Sequence, residues 1–196
     1  HNIIFSINQD GAGGVWLGTA EQGMYSPALG ATPIGIPISK QARPGHTRIK
    51  DVNTVFRDRD GSVWLGTGDG MNRGFPGGKL LPVNVDPLFD DLPVFDIVAD
   101  PDQPDYLWIL SAKGLLRLNR NQLRDTAWFY PAPPLQGLFY NKISVDYAGN
   151  FWLPLRGGIG YFHRKTGQMR YLFYRQGDPR STLPGEIICQ IADPNG

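Results

Sequence analysis

Four tryptophans recur along this chain at a nearly constant interval: Trp16, Trp64, Trp108 and Trp152 are separated by 48, 44 and 44 positions. A recurrence of that length confines the fold to architectures that use one small supersecondary unit several times over. Other positions repeat with the Trp. Six residues before it stands an Asp and three before it a Gly in three copies, Asp10/Gly13, Asp58/Gly61 and Asp146/Gly149, and the same pair returns at Asp193/Gly196. The third copy reads "ADPDQPDYLW", in which Asp100 or Asp102 takes the acidic place and Asp105 stands where the Gly would be. Six or seven positions past each Trp comes a Gly with an apolar follower: Gly23-Met24, Gly70-Met71, Gly114-Leu115 and Gly158-Ile159.

Each repeated position has a conformational reason. Before the Asp lies a short alternating or apolar stretch ("IIFSI", "VNTVF", "VFDIVA", "NKISV", "IICQIA") of strand length and β-branched character. The Asp accepts backbone N–H bonds from the turn, the Gly supplies a positive φ, and the Trp opens a second, antiparallel strand. "GTGDG" and "SAKG" make the next turn, "MNR", "LLRLN" and "IGYFH" begin a third strand, and "PIGIPI", "LPVNV", "TAWFY" and "MRYLFY" read as a fourth. Four short antiparallel strands in roughly 45 residues is the size of one β-propeller blade. The prediction is an all-β chain, a partial β-propeller forming a single domain over 1–196. Its blades run roughly over 2–47, 48–92, 93–138 and 139–184, with the first strand of a further blade at 185–196. The four tryptophans should be equivalent buried positions that wedge successive sheets together. Helical repeats are excluded because 25 Gly and 17 Pro leave almost no room for uninterrupted helical periodicity.

Composition narrows the function. With 19 basic and 18 acidic residues the net charge is +1, so no summed field holds a polyanion, and nucleic acid is not an expected partner. The longest apolar runs, such as Tyr106 to Leu110, are strand-length, and Asn2 to Gln9 carries no basic start followed by a long apolar segment; no membrane contact by this segment is expected. Cys189 is the single cysteine, in a strand-like "EIICQIA", and reads as a small buried hydrophobe. The three histidines, His1, His46 and His163, are far apart and make no zinc-ligand spacing. A calcium loop beginning at Asp58 would need Gly sixth and Glu twelfth, where Val63 and Asp69 stand. No metal and no cofactor is expected, and no catalytic residue is assigned.

The stretch "DRDGSVWLGTGDGMNR", with its D-x-x-G-x-h-W-h-G-T core (h apolar), resembles the two-component regulator propeller repeat. That family is found in extracytoplasmic sensor modules of bacterial hybrid histidine kinases and membrane-bound diguanylate cyclases. The linker "KTGQMRYLFYRQGDPRSTLPGEIICQIADPNG" is similar to the family's passage between blades. The resemblance implies a non-catalytic ligand-sensing segment on the periplasmic or extracytoplasmic face of the inner membrane, with further blades, a β-sandwich, a membrane span and an output domain elsewhere in the protein. Two other readings stay open: a propeller lyase or hydrolase with an axial active site, and a protein-interaction scaffold.

In a propeller the loop between the second and third strands and the loop entering the innermost strand lie on one face. The first set holds Glu21, Asp69, Lys113 and Arg156; the second holds Arg48, Lys50, Tyr140, Asn141, Lys142 and Glu186. Mixed charge with an aromatic suits a small polar ligand or a carbohydrate fragment. Trp128, outside the Trp register, is expected to pack an outer strand. Exposed end faces of a partial propeller should pack on remaining blades or on a second copy.

Overall fold

The structure is a computed structural model. It describes the strands 4–9, 15–19, 23–26 and 34–36 and residues 51–75, 80–85, 91–130, 142–155 and 157–178. The fold is a partial β-propeller. Among the described residues sixteen strands form four four-stranded antiparallel sheets. The first contains β1 (Ile4–Gln9), β2 (Val15–Thr19), β3 (Gly23–Ser26) and β4 (Ile34–Ile36), and the second β5 (Thr54–Arg57), β6 (Val63–Thr67), β7 (Gly70–Gly74) and β8 (Leu81–Pro82). The third contains β9 (Val94–Ala99), β10 (Tyr106–Ser111), β11 (Gly114–Asn119) and β12 (Thr126–Phe129), and the fourth β13 (Ser144–Val145), β14 (Phe151–Leu155), β15 (Gly158–His163) and β16 (Gln168–Phe173). Within each sheet the strands pair in chain order, as successive hairpins require. The chain divides into two compact units, His1–Ile97 and Val98–Gly196, with the boundary inside β9. The expected strand at 185–196, Asp10 and the side chain of Trp16 lie outside the described residues.

The Asp-to-Gly turn closes as the sequence predicts. Asp58 N donates to Ser62 O at 2.8 Å and Gly61 N to Asp58 O at 3.0 Å, and the fourth copy repeats this with Asp146 N to Asn150 O and Gly149 N to Asp146 O, both 2.9 Å. Gly61 and Gly149 take φ of 83° and 77°, a region that favours glycine. In the third copy Asp100 N reaches Tyr106 O, six residues on rather than four. The longer loop turns without a left-handed residue, which is why Asp105 stands where the others have Gly.

The Asp does more than cap its turn. Asp58 Oδ1 accepts the Arg59 amide at 2.7 Å, and Oδ2 accepts the indole Nε1–H of Trp64 at 2.9 Å, with the Asp58 carboxylate and the indole both buried. Asp100 Oδ2 accepts Trp108 Nε1 at 2.7 Å, so Asp100 and not Asp102 is the acidic member of the third copy. The Asp-to-Trp spacing thus supplies an acceptor for an indole N–H that would otherwise be buried unpaired.

Trp64 and Trp108 are 0% and 1% exposed. Trp152 is not their equivalent in burial: it is half-buried, and its fully buried neighbour is Phe151. The sheet faces explain the difference. Trp108 packs edge-on against Phe151 and Phe162 of the fourth sheet at 5.2 and 5.3 Å between centroids. Trp152 alternates with Phe151 along β14 and therefore lies on the sheet's other face. The Trp108 face is covered by the fourth sheet, whereas the described ring partner of Trp152 is Tyr161 of its own sheet, 4.8 Å away.

The second residue after the Trp sits on the same face. A side chain at Gly66 would come within 2.5 Å of Val94 and 2.6 Å of Thr54, and one at Gly18 would collide with Ser6 and with Val52. The Gly of "WLG" is therefore a clearance for the first inner-strand residues of the next repeat. Leu110 and Pro154 take its place in the third and fourth copies, and both are buried.

Candidate functional site

The turns between the second and third strands of the second and third sheets share one construction. Thr67 Oγ1 donates to Gly70 O at 2.9 Å and lies 2.8 Å from Asp69 Oδ1; in the next sheet Ser111 Oγ donates to Gly114 O at 3.2 Å and accepts from Lys113 N at 3.2 Å. A hydroxyl three residues past the Trp thus rigidifies the turn, and the residue at its apex, Asp69 or Lys113, carries the charge. The entry loop of β5 meets its hairpin: Gly68 N donates to Asp51 O at 3.1 Å and Asn53 N to Gly66 O at 2.9 Å. Asp51 holds φ of 53°, the one positive value for a non-glycine among the described residues. In the second sheet the β6–β7 hairpin and the residues just before β5 are therefore hydrogen-bonded together.

In the second unit Lys113 Nζ lies 5.5 Å from the ring centroid of Tyr130, just past β12. Tyr130 is 46% exposed and stacks on Trp128 at 5.4 Å with 10° between planes. The result is a surface group of one ammonium and two parallel rings. Such a group offers a cation for an anionic or hydroxyl-rich ligand beside an aromatic surface for apolar C–H faces. Trp128 stacks along the outer strand as the sequence suggested, and the exposed ring of the pair is Tyr130, which follows it by two residues and carries no signal of its own in the sequence.

Of the residues proposed for binding, Asp69, Lys113 and Lys142 are described; Glu21, Arg48, Lys50, Tyr140, Asn141, Arg156 and Glu186 lie outside the described residues. Asp69 belongs to the first unit and Lys113 to the second. His163 Nδ1 lies 2.8 Å from Thr166 Oγ1 in the turn after β15. Among the described residues no three His, Cys, Asp or Glu side chains converge as a metal would require.

The sequence reading passed over Arg164. Its side chain is 5% exposed and joins three groups: Nη1 donates to Asp100 Oδ1 at 2.8 Å, Nε to Gly149 O at 2.8 Å, and Nη2 pairs with Asp102. It therefore ties a turn of the fourth sheet to the carboxylate that holds Trp108. Burial would raise the Asp100 carboxyl, but hydrogen bonds from Trp108 Nε1 and the amides of Asp102 and Gln103, together with the Arg164 charge, hold it below the ordinary Asp value.

Residues 49–69 match the family described as two component regulator propeller, so the chain carries that repeat over the entry loop, Asp turn and Trp strand of the second sheet. No curated protein matches the chain. Among solved structures, a catalytically inactive virginiamycin B lyase from Staphylococcus aureus with quinupristin is similar at TM-score 0.66 and 15% identity, over 90% of this chain and 57% of that one. The extracellular domain of a protein described as a hybrid two component system from B. thetaiotaomicron is similar at TM-score 0.54 and 14% identity, over 95% of this chain and 35% of that one. A second such extracellular domain from the same organism is similar at TM-score 0.50 and 17% identity, over 87% of this chain and 30% of that one. At these identities the likeness is one of fold, and this chain spans between about a third and three fifths of their lengths.

Proposed function

We propose that this chain is a non-catalytic, ligand-sensing segment of an extracytoplasmic propeller in a bacterial transmembrane signalling protein, whose output is a histidine kinase or a diguanylate cyclase. The observation that carries the reading is the two-component regulator propeller match at residues 49–69, which falls on a hairpin whose Asp, Trp and Gly each have a geometric role. The extracellular sensor domains of similar fold support it. The ligand is a small polar molecule or carbohydrate fragment, bound on the face where the hairpin turns meet the entry loops. Binding would act by favouring one arrangement of the sensor over another.

The likeness to a virginiamycin B lyase favours a second reading, a propeller enzyme. One experiment separates the two. The chain is screened by thermal shift against a panel of mono- and oligosaccharides and uronic acids, and each hit is recovered and weighed by mass spectrometry. Sensing predicts a saturable rise in melting temperature with the hit recovered intact and the rise reduced in Lys113→Ala or Tyr130→Ala. A hit returned cleaved or rearranged establishes the enzyme, and a panel without any shift contradicts a carbohydrate sensor.

A further inference from the structure

Two arginines of the second unit are engaged by carboxylates. Arg164 binds Asp100 and Asp102, and Arg117 lies with Nε 3.9 Å from Asp100 Oδ2 and its guanidinium 3.5 Å from the Tyr106 ring centroid. Lys113 differs from both. It is half-buried in the β10–β11 turn, and among the described residues no carboxylate pairs with its ammonium, which meets the Tyr130 ring instead. Cross-strand pairing of Ser111 with Gly114 leaves Ala112 and Lys113 as a two-residue turn. Ser111 Oγ braces that turn by accepting from Lys113 N and donating to Gly114 O, so the ammonium projects from a fixed root.

The rings beside it are placed by alternation along the outer strand. Phe129 packs on Trp108 and Phe162 at 5.4 and 4.9 Å, which turns its neighbours Trp128 and Tyr130 the other way. Those two rings lie parallel, and Tyr130 keeps 46% of its surface exposed. An exposed aromatic surface accepts the C–H side of a sugar ring, and a cation without a carboxylate of its own attracts an anion. The lysine ammonium is a compact point charge, so it serves a carboxylate or a sulfate alike. A hexose ring bearing such a group presents both features within a single residue.

We propose that Lys113 and Tyr130 form an acid-selective subsite: the ligand contains an acidic sugar residue, its ring against Tyr130 and its anionic group on Lys113 Nζ. This rests on the sensing reading above and goes further by fixing the charge of what is sensed. Lys113 sets the preference for an acidic over a neutral sugar, whereas Tyr130 contributes to both.

The test is titration of the ¹⁵N-labelled chain, followed by amide shifts, with glucuronate, glucose 6-sulfate, glucose and acetate separately. At low salt at least one of the two acidic sugars should bind about tenfold more tightly than glucose, the lower end of what a charge-assisted hydrogen bond supplies. The amides of Lys113 and Tyr130 should move, and the preference should shrink as salt screens the ammonium. Which acid binds identifies the source of the charge. Lys113→Gln should bring acidic and neutral sugars to equal affinity, and Tyr130→Leu should weaken both, each variant keeping the amide spectrum of the folded chain away from the site. Glucose bound as tightly as both acids overturns the acid preference and leaves the sensing reading standing. Acetate bound as tightly as glucuronate overturns recognition of the ring, and a preference that survives in Lys113→Gln overturns the role of Lys113. Binding of none of the sugars overturns this subsite and the carbohydrate reading together.

Discussion

The pairing of a buried carboxylate with a buried indole sets the energetics at the residue scale. Removing Trp64 by Ala empties a fully buried aromatic site and should cost about 3–5 kcal/mol by urea unfolding. Asp58→Ala strands the buried indole N–H of Trp64, at about 1–3 kcal/mol for an unsatisfied buried donor, and frees the part-buried Arg59 amide. Asp58→Asn keeps an acceptor and should recover part of the loss; equal losses for Ala and Asn would mean the carboxylate charge, and not the acceptor, matters. Trp152→Ala should cost less than Trp64→Ala because part of the Trp152 side chain already meets solvent in the native state. If the two losses were the same, burial would not govern them.

At the scale of the element, the Asp-to-Gly turn, the Trp strand and the next hairpin were legible in the sequence because each rests on a local conformational demand. A positive φ selects Gly61 and Gly149, and strand alternation places the apolar stretches. What was not legible depends on neighbours from another repeat. The carboxylate's bond to the indole, the clearance role of Gly18 and Gly66, and the reach of Arg164 back to Asp100 all join positions whose proximity only the stacking of sheets creates. Of the residues named for binding, Asp69 and Lys113 were placed on hairpin turns from spacing, each in its own unit, whereas Tyr130 required knowing that the end of β12 lies beside the β10–β11 turn. Two tests belong here. Gly66→Ala should destabilise by about 1–3 kcal/mol, as overpacking does, since its new methyl meets Val94 and Thr54; a neutral change would show that the sheets have slack. The Asp100 carboxyl titrates below its unfolded value, so its stabilisation is complete above about pH 4 and is lost as pH falls through the folded value. Urea midpoints taken from neutral pH down to that range should therefore fall less steeply in Asp100→Asn, with a residual slope from Asp60, whose carboxyl is also lowered, by its Ser62 and Arg73 bonds against the opposing effect of burial. Parallel slopes would remove Asp100 from the acid response.

At the scale of the whole molecule, four copies of one sheet account for the Trp interval, the composition and the fold, and the proposed sensing role starts from the repeat matched at residues 49–69. The central claim is that the repeated Trp is a sealed core position at Trp64 and Trp108 and a half-buried one at Trp152. The direct measurement is ¹⁹F NMR of the chain labelled with 5-fluorotryptophan, each resonance assigned by a single Trp→Phe change, reading the solvent isotope shift between H₂O and D₂O. The account predicts a negligible shift for Trp64 and Trp108 and a clearly larger one for Trp152. A large shift at Trp64 or Trp108, or a Trp152 as silent as they are, would contradict it.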